Sequence, residues 1–149
     1  FRTWHDECGL GWPVSSAGIV FAANAGVIPD LLWISDERLP TAIINPQTGR
    51  RDGKLHAALD LVVEILSPGL ENEARDREVK LTLYSRRGVL EYWLVDRPRR
   101  IVEVYRRTPV AALELAVTLT ERDTLASPLL PGFALPVERT FRLPGTLLP

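Results

Sequence analysis

An α/β domain built on a mixed central sheet is the fold class the sequence predicts, and three observations predict it. Short apolar runs of strand character recur along the chain, and one of them, LDLVVEIL (59–66), is almost wholly apolar, as a strand covered on both faces would be. A single amphipathic helix then separates that run from three further strands, giving the order strand, strand, strand, helix, strand, strand, strand. With 149 residues, 46% of them apolar and 25% charged, the chain suits one domain over residues 1–149 with a real core.

The elements follow in order. FRTWHDECGL reads as part of a helix; because the chain has no methionine and begins at Phe1, the expectation is that an N-terminal helical piece of the fold is missing. GIVFAA (18–23) and PDLLWIS (29–35) read as strands joined by a turn around Asn24 and Gly26. Residues 36–56, with Pro40, Asn45-Pro46 and Thr48-Gly49, read as an irregular connection to LDLVVEIL. Ser67-Pro68-Gly69 stops that strand. ENEARDREVKLTLYSRRG then predicts a helix, with acids in its first turn, Arg86 and Arg87 in its last, and Gly88 at its C-terminal cap. LEYWLVD (90–96), a turn at Arg97-Pro98-Arg99, IVEVYRR (101–107) and ALELAVTLT (112–120) form an expected antiparallel meander. The proline-rich tail SPLLPGFALPVERTFRLPG is expected to pack as irregular structure with one short strand.

Several function classes drop out. The longest early apolar stretch, AGIVFAANAGVIP, is interrupted by Asn24 and falls short of the roughly 20 residues a membrane span requires, so no membrane segment is expected. The lone Cys8 excludes an internal disulfide and a thiolate zinc cluster and fits a reducing cytoplasm. His5 and His56 lack metal-ligand spacing. A net charge of −1 exerts no general pull on nucleic acid, but seven arginines (86, 87, 97, 99, 100, 106, 107) face only Glu91, Asp96 and Glu103 within residues 86–107. That window reads either as a phosphate-facing patch or as a solvated strand-and-turn face.

The chemistry lies in the carboxylates. Period two along the strand places Asp60, Val62, Glu64 and Leu66 on one face and Leu61, Val63 and Ile65 on the other. The second face is pure core, so the first must meet something polar. Were PDLLWIS to pair beside this strand, Asp30 would come near Glu64, and adjacent carboxylates repel unless a proton or a cation intervenes. A hard divalent ion such as Mg²⁺ or Mn²⁺ suits them, since it takes one or two carboxylates and leaves its other positions to water and phosphate. Lys80 is one of two lysines against sixteen arginines, and a lysine can act as a compact charge beside a nucleophilic water. Structural alternatives stand beside this reading: Asp60 as a strand-start residue, Glu64 paired with Arg75 or Arg77, and Asp76 with Lys80 as a surface ion pair worth about 0.3–0.5 kcal/mol.

In series, PDLLWIS, DLVVEILSP, DREVKLTLYSRRGVLEYWLVD, VEVYRR and SPLLPGFALPV resemble the Uma-type family of candidate restriction endonucleases, once a domain of unknown function, within the PD-(D/E)XK nuclease superfamily. The match runs from about Gly18 to Val137. The resemblance implies a restriction-endonuclease-like fold, a mixed sheet flanked by helices. It also implies a Mg²⁺-dependent (or Mn²⁺-dependent) endonuclease that hydrolyses DNA phosphodiester bonds. Asp30 and Glu64 correspond to the metal-binding acids and catalytic residues, with the backbone carbonyl of Ile65 as a further ligand. The usual signature has a lysine two residues after the second acid, where this chain has Leu66; Lys80 on the following helix takes the matching role. Asp60, Ser67, Asp76 and Tyr84 match family positions as accessory residues. Two other readings of different class are a catalytically inactive nuclease-fold module that binds nucleic acid or a protein partner, and a homodimer or larger assembly joined through apolar strand edges such as ALELAVTL.

Overall fold

The computed structural model describes residues 1–22, 25–66, 69, 75–110 and 112–142. Its centre is a six-stranded sheet of β1 (Trp12–Ser15), β4 (Leu31–Ile34), β5 (Leu61–Ile65), β6 (Glu91–Asp96), β7 (Ile101–Arg107) and β8 (Leu113–Thr120), in that spatial order. β5 and β6 are parallel and every other neighbouring pair is antiparallel, so the sheet is mixed, as the sequence predicts. A parallel pair needs a crossover, and the described part of it is a π-helical segment, Arg75–Lys80, running into α3 (Leu81–Arg86). Within the described residues the predicted single α-helix thus includes a wider turn ahead of α3. It closes at Gly88, whose φ of 81° only glycine adopts freely; the Val89 N–H reaches back to the Tyr84 carbonyl at 3.1 Å in a Schellman-type end.

Alternation along the strands divides the core in two. Leu32, Ile34, Val62, Leu66, Tyr92 and Leu94 face the crossover helix and meet Tyr84 and Val89. Trp33, Leu61, Val63, Trp93 and Val95 face away and are covered by Leu125 and, from the tail, Leu130, Phe133, Val137 and Phe141, with Phe1 and, from α1 (Arg2–Cys8), Trp4 packed against them. The tail is more ordered than its prolines suggest: β9 (Thr124–Leu125) pairs with β10 (Leu135–Pro136), and a 3₁₀ helix, Val137–Thr140, follows.

Three local expectations need correction. Ile19–Ala22 (β2) folds back on Ala25–Val27 (β3) in a separate two-stranded hairpin instead of pairing with the PDLLWIS strand. The partner of β4 on that side is β1, which the sequence reading missed because its WPVS segment is four residues long and carries Pro13, tolerated only at a sheet edge. The connection of residues 36–56 is irregular except for one short helix, α2 (Leu39–Ala42). Asn24, assigned to a turn, lies outside the described residues.

Glu91 fastens the sheet to the tail. It is 1% exposed, and its carboxylate accepts from the Trp93 indole (2.6 Å), the Ser127 hydroxyl (2.9 Å) and Arg106 Nε (3.3 Å). Glu91→Ala strands two buried donors and is expected to lower unfolding free energy in urea by about 3 kcal/mol. Arg106→Ala, at the more exposed end of the same cluster, should cost about 1 kcal/mol or less.

Candidate active site

Two strand ends and one helix build the site. β4 and β5 run antiparallel with Leu31 opposite Val63, so one step further places Asp30 opposite Glu64, as the expected pairing of PDLLWIS beside LDLVVEIL requires. Pairing with β4 stops there, which leaves the N–H of Ile65 without a strand partner. Asp30 Oδ2 accepts it at 2.7 Å. Leu66 turns its own N–H the other way, to the Val95 carbonyl of β6, so the Ile65 backbone faces the Asp30 side, its carbonyl included. Asp30 is exposed, and its second oxygen makes no hydrogen bond among the described residues.

Glu64 is the opposite case. Its residue is 2% exposed, in the middle of the sheet and on the face covered by the crossover helix. Tyr84 donates its hydroxyl proton to Oε1 at 2.6 Å, and the Lys80 ammonium lies 2.9 Å from Oε2. Lys80 and Tyr84 are four apart, hence one turn apart on the same side of the helix. Burial pushes the Glu64 carboxyl above the usual glutamate range; the Tyr84 and Lys80 contacts pull it back in part, and the charge of Asp30 adds to the rise. Two acids and an ammonium therefore share one field at the C-terminal end of β5.

The other expected site residues fall elsewhere. Asp60 begins the same strand, four residues and roughly 13 Å from Glu64. There it accepts the Ser35 N–H at 2.8 Å and pairs with Arg38 at 3.2 Å, while its carbonyl receives Leu90 and Glu91. Asp60 is thus engaged in fastening β4, β5 and β6 at their far end. Asp76 belongs to the π-helical segment, but its side chain lies outside the described residues, as does all of Ser67. Of the two partners for Glu64 left open from sequence, the Arg75 side chain lies outside the described residues and Arg77 pairs elsewhere. Arg77 instead reaches Asp96 and Glu103, a cluster that sequence reading overlooked although both acids interrupt apolar strands just as Glu64 does.

Most arginines of the 86–107 window have partners within the chain. Arg107 caps the helix end through the carbonyls of Ser85 and Val89, Arg106 pairs with Glu91, Arg99 with Asp96, and Arg100 with Glu121. Arg87 lies over the Phe21 ring. Arg86, Arg87, Arg97, Arg99 and Arg100 nevertheless remain exposed, several of them in ion pairs at the surface.

The donors at the strand ends suit a hard divalent cation. Asp30, Glu64 and the Ile65 carbonyl offer oxygen only, and no group of three or more His, Cys, Asp or Glu side chains able to hold a metal occurs among the described residues. An ion here would complete its shell with water and a ligand, as Mg²⁺ does in open sites.

This mixed sheet, with its helix crossing over the parallel pair, is a restriction-endonuclease-like α/β fold. The chain belongs to the Uma2 family, described as "Putative restriction endonuclease", whose model matches residues 1–138. In structure it is similar to a putative nuclease belonging to DUF820 from Anabaena variabilis, with a TM-score of 0.68 and 17% identity over 94% of this chain and 73% of that one. No curated protein matches the chain. No helix among the described residues is long and apolar enough to cross a membrane.

The raised Glu64 carboxyl gives a pH signature. Between the ordinary glutamate value of 4.5 and the raised one, the folded chain holds a proton that the unfolded chain has released, so rising pH lowers stability across that window. Urea unfolding in chelating buffer across pH 4–8 should therefore show Glu64→Gln gaining on the parent as pH rises; parallel curves would contradict it.

Proposed function

We propose that the protein is a Mg²⁺- or Mn²⁺-dependent endonuclease that hydrolyses phosphodiester bonds in DNA. The observation that carries this reading is the buried Glu64 held by Lys80 at 2.9 Å beside the strand end where Asp30 caps Ile65. Family membership supports the reaction class.

Asp30, Glu64 and the Ile65 carbonyl would hold the cation. When bound, such an ion polarises a phosphoryl oxygen and lowers the pKa of a coordinated water. Tyr84 fixes the Glu64 carboxylate by bonding one of its oxygens, so the remaining lone pairs keep a constant direction. Lys80 is 18% exposed at its side chain, enough to reach solvent. Its ammonium has three donors on a flexible stem, so it can keep one on Glu64 and direct another to the attacking water. The same positive charge offsets the charge that gathers on the phosphoryl oxygens in the transition state.

Nicking of supercoiled plasmid is expected with Mg²⁺ or Mn²⁺ and absent with chelator. Asp30→Ala, Glu64→Gln and Lys80→Met proteins with parental circular dichroism should each lose about 100-fold or more of the rate. Undiminished cleavage in these variants overturns the assignment. Salt-sensitive DNA binding without turnover in the parent supports the inactive binding module instead, the reading that Leu66 at the signature lysine position favours.

A further inference from the structure

The π-helical segment Arg75–Lys80 carries two cations that meet the sheet at different strands. Lys80 reaches Glu64 on β5. Arg77 reaches Asp96, the last residue of β6, at 2.7 Å, and Glu103 on β7 through the other terminal nitrogen. Pairing places Glu64 opposite Leu94 and Leu94 opposite Glu103, so the two glutamates lie on one sheet face, two strands and roughly 10 Å apart. Residues three apart on an α-helix point nearly the same way. An i→i+5 turn is wider, which spreads them round the axis and lets one short segment span that gap.

The Arg77 end is the more firmly built. Asp96 is 1% exposed and also accepts the Arg99 backbone N–H at 2.9 Å and the Arg99 guanidinium at 2.7 Å. Tyr105 donates its hydroxyl to Glu103 at 2.9 Å, so both acceptors of Arg77 are themselves fixed from the sheet side. A guanidinium held by two carboxylates on two strands has little freedom. The lysine stem, with its rotatable bonds, does not set its own address.

We propose that Arg77 is a positioning residue. Docked on Asp96 and Glu103, it fixes the height and rotation of the π turn and so delivers the Lys80 ammonium to Glu64. Its catalytic consequence rests on the nuclease reading above. The positioning itself does not.

The test uses the fact that the chain has only two lysines, Lys54 and Lys80. With ¹⁵N-labelled lysine, a held ammonium gives a protected NMR signal that a free one loses to exchange. Arg77→Met, with parental circular dichroism, is expected to lose the Lys80 signal and keep its Mg²⁺ affinity. Glu103→Gln, which weakens the anchor while keeping the arginine, should show the same loss in part. In plasmid nicking, Arg77→Met should lower kcat by 10-fold or more with little change in KM. Combining it with Lys80→Met should add nothing, because both changes remove the same group. A Lys80 signal unchanged in either folded variant overturns the proposal, and so does multiplicative loss in the double variant. A parent that binds DNA but never cleaves it refutes the nuclease reading alone, and the NMR comparison still decides the role of Arg77.

Discussion

The parallel pairing of β5 with β6 is the constraint on which the rest of the structure depends. Five register pairs, from Leu61↔Glu91 to Ile65↔Val95, join two strands that point the same way, so the chain must return across the sheet before starting β6. That return supplies a helix over one face, and the helix carries Lys80 and Tyr84 above Glu64. On the other side of β5, the antiparallel β4 begins at Leu31 and brings Asp30 to the same end. The groups at the candidate site arrive on three elements, β4, β5 and the crossover helix, and the parallel pair brings them together.

Glu64 is the electrostatic counterpart of that topology. A carboxylate so deeply buried costs several kcal/mol unless it is hydrogen-bonded and balanced. Tyr84 and Lys80 supply one contact to each oxygen, yet burial still wins, and the carboxyl stays above its ordinary range. Asp96, almost equally buried, goes the other way. Burial alone would raise it, but the Arg99 backbone, the Arg99 guanidinium and the Arg77 charge together hold it below the usual aspartate range. One acid is over-compensated and locked, whereas the other, to which the proposed function assigns a cation, is under-compensated.

What the sequence made legible followed the strength of its periodicities. LDLVVEIL, LEYWLVD and IVEVYRR are long or strongly patterned, and the strands Leu61–Ile65, Glu91–Asp96 and Ile101–Arg107 lie within them. The convergence of Asp30 with Glu64 followed from placing the two runs side by side. WPVS and the β2–β3 hairpin escaped because segments of three or four residues carry too few periods to read, and pairing partners of short strands are set by tertiary packing. The arginine window stayed open between two readings for a related reason: composition counts charges along the chain, while Glu91, Asp96, Glu121 and the end of α3 pair with them in space. Arg77 was hidden likewise, because its two acceptors lie 19 and 26 residues away.

Leu66 brings these strands of argument together. It shares a strand face with Glu64, and at 5% exposure it fills the core beneath the crossover helix beside Tyr84 and Leu94. A lysine there would have to force its longer stem through that packing and bring its charge into the core, overpacking and desolvation that both destabilise. From Lys80 the ammonium instead comes down from the helix, and the core keeps its leucine. The consequence is a dependence that a strand lysine would not have. Strand pairing brings the backbones of both acids to one end of the sheet, whereas the Lys80 ammonium reaches Glu64 from the helix. On the proposed reading, helix docking completes the site, and the ion pairs of Arg77 with Asp96 and Glu103 act on Lys80 from the two strands beyond β5.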